Sequence, residues 1–312
     1  MSQPATPVAD SGVATGILLV FMTVLIWGAQ FPIAKSTFQH VDPFHTALVR
    51  YGLPCAILLG LLVMREGVGA MRFDSQARRA TVFDSSACGS PSLVFGGLQF
   101  ARLEIAAIIV AVQPSITAVV LWVMRGRRPD AVSLVCIGFA FLGVITVVTR
   151  WSVSLAPSGL ELIGDLMILA GAVCWVVYTI SGESFRHWSI LRFTALTMLP
   201  GTIGHVLVAT TLILMGVIHT PSAQDFWAAR VELLYLSILG VLVSMLTWNA
   251  GTKRIGPLNA MLFLNLIPVV AFGIRYWQGY RFETVELVGA AMVIAALVAN
   301  NLVLRRRARA VA

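Results

Sequence analysis

The sequence predicts an all-α integral membrane protein of ten transmembrane helices, arranged as two inverted five-helix repeats. Three observations predict it: the composition, the number of long apolar runs, and residues matched between the two halves of the chain. Of 312 residues, 58% are hydrophobic and only 12% charged, and the mean hydropathy is +0.87. A soluble domain carries about a quarter of its residues as charged side chains, so half that share calls for lipid as the solvent.

Crossing a hydrocarbon core takes about 20 mostly apolar residues. Runs of that kind occur near 13–34, 43–64, 82–100, 105–124 and 131–149, and again near 162–182, 193–218, 231–250, 257–276 and 285–304. The third is the most diluted, by Ser85, Ser86, Ser90 and Ser92. The connections are short, and no stretch reads as a separate soluble domain. Met1 to Gly12 carries only Asp10 as a charge and no basic run, so Val13 onward reads as a retained helix rather than a signal peptide. The expected organisation is therefore a tail over 1–12, a first repeat over 13–150, a second over 151–304 and a basic tail over 305–312.

The placement of cations sets the orientation. Fifteen of the 22 Lys and Arg residues fall on the side that holds both termini, six on the other, and Arg50 lies within a span. Positive residues mark the cytoplasmic side, so both termini are expected in the cytoplasm and the protein in the inner membrane. The net charge of +8 sits in short clusters such as Arg305-Arg306-Arg307. Without a continuous basic face and interleaved aromatics, nucleic acid is not an expected partner. Cys55, Cys88, Cys136 and Cys174 all lie in apolar runs with no CxxC pair, so no metal or other cofactor is expected.

The repeat shows as matched residues. At an offset of 148, Trp27 corresponds to Trp175, and Thr46-Ala47-Leu48 to Thr194-Ala195-Leu196. At an offset of 154, Ala106 corresponds to Ala260, Pro114 to Pro268 and Arg127 to Arg281. Five helices per half is an odd number, so the second half enters the membrane from the opposite side. Halves related in this way are common among secondary transporters.

Several motifs resemble the EamA-type drug/metabolite transporter superfamily over nearly the whole chain. They are Trp27-Gly28-Ala29-Gln30-Phe31-Pro32, Asp42-Pro43-Phe44 with Ala47-Leu48-Val49-Arg50-Tyr51, and Gly164-Asp165-Leu166 with Cys174-Trp175 and Tyr178. Trp248-Asn249-Ala250, Lys253-Arg254-Ile255-Gly256 and Asn265-Leu266-Ile267-Pro268-Val269 complete the pattern. The resemblance implies export of a small organic metabolite, with the YddG-like amino-acid exporters as the nearest branch and drugs or purines as the alternative cargo. One departure stands out. Where members of the family carry a Gly-Glu pair after the prolines of helices 4 and 9, this chain reads Gly126-Arg127 and Tyr280-Arg281.

The residues expected to meet a solute follow from helical spacing. Trp27, Gln30 and Phe31 share one face of the first helix, and Trp175, Tyr178 and Thr179 the equivalent face of the sixth. Such clusters suit an apolar body bearing a few polar groups, and aromatic faces attract ammonium. Gln113 and Asn265 stand beside Pro114 and Pro268, which each free a carbonyl within a span. Pro32, Pro54, Pro114, Pro200 and Pro268 are the expected bending points. Intramembrane ionisable groups are costly and read as functional candidates: Arg50 for a substrate carboxylate, His205 and His45 for proton coupling. Asp165 is expected in the first turn of its helix, where an acid favours the N-terminus.

A carrier accounts for these features best. An enzyme would need a converging nucleophile, base or metal set, and neither HExxH nor GxSxG occurs. A channel would show a continuous polar stripe, whereas the polar groups gather near mid-span prolines and aromatics. With both halves in one chain, a monomer in the lipid bilayer is expected.

Overall fold

The computed structural model describes residues 10–72, 93–94, 96–102, 105–106, 109–110, 112–126, 131–149 and 158–311. Among these residues, helices are the only regular secondary structure. The helices are α1 (Asp10–Thr37), α2 (Pro43–Glu66), α3 (Gln113–Arg125), α4 (Ala131–Thr149), α5 (Gly159–Ser181) and α6 (Ile190–Leu214). They continue with the short α7 (Ala223–Ala228), then α8 (Arg230–Ile255), α9 (Pro257–Phe263), α10 (Ile267–Trp277) and α11 (Thr284–Val311). Residues 93–94 and 96–100 are also helical.

Five of these are long and apolar enough to cross a membrane: α1, α2, α5, α6 and α8. Shorter apolar stretches lie in α3 and α11. Their starts are set by local chemistry. Asp42 caps α2 by accepting from the amides of Phe44 and His45, with Pro43 in the first turn where its missing N–H costs nothing. Ser158 and Glu161 form a reciprocal capping box at α5, and Ser222 with Asp225 forms another at α7. The hydrogen bonds from Ser222 hold the Asp225 carboxyl below its ordinary pKa.

The boundaries depart from the sequence expectation in three places. The run expected near 231–250 extends to Ile255 and contains a π-helical stretch at Tyr235–Val243. The run expected near 257–276 is broken: α9 ends in a 3-10 turn at Leu264–Leu266, and α10 restarts with Pro268 in its first turn. The last helix runs on through Val311, so Arg305, Arg306, Arg307 and Arg309 lie in its final turns. Pro32, Pro54 and Pro200 lie inside unbroken helices, whereas Pro114 sits in the first turn of α3.

Helices pack closest where glycine allows it. A Cβ on Gly16 of α1 would meet Ile255 of α8 at 2.6 Å, and one on Gly251 would meet Val20 of α1 at 2.5 Å and the Gly16 carbonyl at 2.9 Å. Between residues 97–101 and α5 the approach is closer still. A Cβ on Gly97 would lie 2.5 Å from the Gly164 carbonyl, and one on Gly164 would lie 2.6 Å from the Gly97 carbonyl. Small residues at crossings let backbones touch where lipid offers no hydrophobic drive for association. Gly16 and Gly164 stand 148 residues apart, and Gly97 and Gly251 stand 154 apart, the two offsets already seen in the repeat. Elsewhere α2 packs on α6, and α4 on α11, where Gly143 meets the Gly289 carbonyl.

Candidate functional site

Three backbone irregularities converge on one cavity: the first turn of α3, the π-helical stretch of α8 and the break before α10. Irregular backbone at membrane depth is tolerated where it is buried in protein or lines a cavity. The cavity encloses about 550 Å³, open solvent included. Trp27, Gln30 and Phe31 of α1, Arg50 and Tyr51 of α2, Gln113 of α3 and Trp175 of α5 line it. Gly240, Val241 and Met245 of α8, Leu264 and Ile267 around the break, and Val94 and Val110 also line it.

The polar side of this cavity is small and ordered. Arg50 is only 3% exposed. Its Nη2 donates to Gln30 Oε1 at 2.6 Å, and its guanidinium lies 5.3 Å from the centroid of the Tyr51 ring. Gln113 is buried, and its Oε1 has no hydrogen-bond partner among the described residues. Its backbone carbonyl is occupied, accepting from Thr117 Oγ1 at 2.7 Å. The cavity therefore presents a guanidinium and two amides, groups able to meet a carboxylate and an ammonium on one small molecule.

The apolar side is a cluster of three tryptophans. Trp27 meets Trp175 edge-on at 5.1 Å and Trp248 at 5.1 Å, and Trp175 lies 5.8 Å from Trp248. Trp27 is fixed by its indole N–H, which donates to Ser244 Oγ at 3.0 Å and the Gly240 carbonyl at 3.2 Å, both on α8. Trp248 is fully buried.

Beyond this cluster lies a second cavity of about 510 Å³, open solvent included. Its lining includes Tyr178, Thr179, Glu183, Phe185, Asn249 and Lys253. Asn249 Nδ2 donates to the Tyr178 hydroxyl at 3.1 Å and to Thr194 Oγ1 at 2.9 Å. Lys253 Nζ donates to the Trp188 carbonyl at 3.0 Å. Trp175 and Tyr178 are in contact at 5.2 Å, yet the first lines one cavity and the second the other.

Of the residues expected from sequence, Trp27, Gln30, Phe31, Arg50, Gln113 and Trp175 thus line one cavity, while Tyr178 touches Trp175 but lines the other. The side chains of Asn265 and Pro268, and all of Arg127, lie outside the described residues; Arg281 is exposed. His205 stacks on Tyr51 at 4.9 Å and lines neither cavity. His45 Nδ1 pairs with Asp42 Oδ2 at 2.5 Å, beside the carboxylate oxygen that caps α2. One expectation is corrected. α5 begins at Gly159 with Glu161 as its first-turn acid, which places Asp165 in the second turn, 6% exposed.

Tyr51, Ser244, Met245, Trp248, Asn249 and Lys253 also belong to the two cavities or the cluster between them, and sequence reasoning assigned them no role. Trp248, Asn249 and Lys253 stood within motifs quoted for the family resemblance; Ser244 and Met245 carried no signal of their own.

Comparison with known proteins agrees with this architecture. The profile of the EamA-like transporter family matches residues 14–149 and again 162–302. The chain is 32% identical to the uncharacterized transporter YrdR of Bacillus subtilis, over 93% of this chain and 92% of that one. It is 29% identical to the uncharacterized transporter YyaM of the same organism, over 89% and 90%. An uncharacterized transporter of Archaeoglobus fulgidus is 21% identical over 81% of this chain. A solved crystal structure shares the fold with a TM-score of 0.66 at 19% identity, covering 93% of this chain and 98% of that one.

Proposed function

The chain belongs to the EamA-like transporter family and is a multi-pass membrane transporter of small molecules; from that premise we propose that it exports amino acids across the inner membrane by alternating access. The observation that carries the cargo is the pairing of Arg50 and Gln30 at 2.6 Å in a cavity also lined by Gln113, Trp27 and Trp175. A guanidinium fork matches a carboxylate, an amide oxygen and aromatic faces suit an ammonium, and Phe31 with Met245 supplies an apolar wall for a side chain. A phosphorylated cargo would call for several cations at this depth. Among the described residues, Arg50 is the cation that lines the cavity.

Alternating access is supported by two cavities separated by one layer of aromatics. It is also supported by the glycine contacts recurring at offsets 148 and 154, as two inverted five-helix halves (13–150 and 151–304) require. In that architecture ten spans put both termini on one side, and the excess of Lys and Arg on that side favours the cytoplasm. The cavity is complete within one chain, which favours a monomer. Pro32, Pro114, Pro200 and Pro268 are the proposed bending points, and export of drugs or purines is the alternative cargo.

The test is uptake of radiolabelled amino acids into liposomes bearing the purified protein, beside Arg50→Gln, Trp175→Ala and empty vesicles. Saturable uptake by the wild type that both variants reduce by about tenfold or more is the expected outcome. Uptake that survives Arg50→Gln removes the carboxylate reading. No uptake above empty vesicles rules out amino acids and moves the assay to purines and cationic drugs.

A further inference from the structure

We propose that Asp165 is a proton-binding site, carrying a proton while the seam between residues 97–101 and α5 is closed and releasing it as that seam opens. The inference rests on the transporter reading only for its consequence; the bound proton itself follows from the packing.

Asp165 lies inside the apolar span of α5 and is 6% exposed. Neither of its carboxylate oxygens has a hydrogen-bond partner among the described residues. Its neighbours leave little slack. A Cβ on Gly164 would stand 2.8 Å from the Ala101 amide nitrogen, and one on Gly97 would stand 2.9 Å from Ile168, one turn along α5 from Asp165.

The charged groups that face it among the described residues are Arg102 and Glu161. Glu161 is committed to the cap of α5, accepting from the Ser158 amide at 2.8 Å. Arg102 Nη1 sits 3.7 Å from Oε1 of Glu286, a second buried acid at 1% exposure. Glu286 also accepts from the Tyr280 hydroxyl at 3.4 Å and the Glu283 amide at 3.0 Å.

The two buried acids are therefore treated differently. Glu286 has an arginine and two donors, which is what an ionised carboxylate needs. Asp165 has neither. Burying a charge without donors is far costlier than burying a neutral carboxyl, so the neutral acid is the form this packing accepts. A metal cation would need several further oxygens around it, and no cluster of three metal-ligating side chains occurs among the described residues. When the seam parts, the carboxyl O–H gives its proton to water. The carboxylate left behind is then free to draw Arg102 away from Glu286. Reclosure requires a proton to return. In the proposed topology this end of α5 faces the outside, so external pH sets how readily the seam recloses.

The experiment uses the full chain in liposomes and dicyclohexylcarbodiimide, which modifies protonated carboxyls in apolar surroundings, with the adduct located by peptide mass spectrometry. Asp165 is expected to be modified, increasingly so as pH falls from about 9 towards 5, while Glu286 stays unmodified. Infrared difference spectra over the same range should show a protonated-carboxyl stretch that disappears in Asp165→Asn and persists in Glu286→Gln. No adduct at Asp165 at the acid end overturns the proposal. So does modification of Glu286 alone, or protection of Asp165 by sodium at fixed pH, which would assign the site to a metal cation. If Asp165→Asn does not fold, labelling of the wild type decides by itself. Where a solute has been found, its transport by the wild type should change about tenfold per pH unit along one limb and stay flat in Asp165→Asn. If no tested solute is transported, the cargo reading fails while the labelling still tests the proton site.

Discussion

The two cavities on either side of the tryptophan cluster are built from corresponding places in the chain but differ in chemistry. Gln30 and Tyr178 are 148 residues apart, the same offset that separates Trp27 from Trp175. On one side Gln30 accepts from a buried arginine. On the other, Tyr178 accepts from Asn249, and the lysine of that cavity is engaged with a backbone carbonyl. The tryptophan pair Trp27 and Trp175 and the glycine contacts recur at the same offsets, while the polar lining does not. Backbone seams tolerate only glycine at closest approach, which accounts for Gly16 against Gly251 and Gly97 against Gly164. A wall facing empty space carries no such restriction, and each cavity has acquired its own chemistry.

The largest effects should come from the seams. In Gly97→Val the new side chain would be driven into the Gly164 carbonyl, a backbone atom that cannot move aside, and folded yield in detergent should be lost. Gly251→Ala first meets a Val20 methyl at 2.5 Å, and its cost should stay within the range of about 1–3 kcal/mol typical of overpacking, read as a lowered melting temperature. Equal tolerance of both would show that the seams are not what the halves share.

The cavities are compared next by neutralising one cation on each side. Arg50→Gln should slow transport by about tenfold to hundredfold, the loss of a charge-assisted contact. Lys253→Gln should slow it by less than about threefold, since a single backbone contact is lost. The reverse order would move recognition to the Tyr178 side. Trp27→Phe keeps a ring in the partition but deletes the donor to Ser244 and Gly240. Stability should fall by about 1 kcal/mol for each bond lost, seen as an earlier thermal transition. The smallest effect is expected from Tyr178→Phe. Asn249 retains Thr194, and the melting shift should correspond to less than about 1 kcal/mol.

The spans are legible because lipid imposes a length and an apolar composition that few other environments demand. The clustering of Trp27, Gln30 and Phe31 is legible because i, i+3 and i+4 positions share a helix face. The same rule grouped Tyr178 with Trp175, and their rings do touch at 5.2 Å, but Tyr178 lines the second cavity and Trp175 the first, a division the spacing does not foretell. The π-helical stretch at Tyr235–Val243 leaves no mark in the apolar pattern, whereas the break at Leu264–Leu266 is marked by Asn265 and Pro268, though the sequence does not show that the helix stops there. The role of Glu161 was obscured by Asp165, which resembles a first-turn acid until the helix start at Gly159 is known. The glycine pairs were present at the offsets already in hand, but only their close approach across helices shows what they do.

Three indoles whose centroids lie 5.1–5.8 Å apart also make the partition an optical element. At such separations the excited states of neighbouring rings couple, and the coupling falls with the cube of distance. Circular dichroism should therefore carry an exciton couplet from this cluster, and its fluorescence should be quenched relative to isolated tryptophan. A rearrangement that separates α1 from α5 by one ring width would remove most of the Trp27–Trp175 coupling and change both signatures. The molecule thus reports with its own absorption whether the partition is closed, with no label added and no cargo identified.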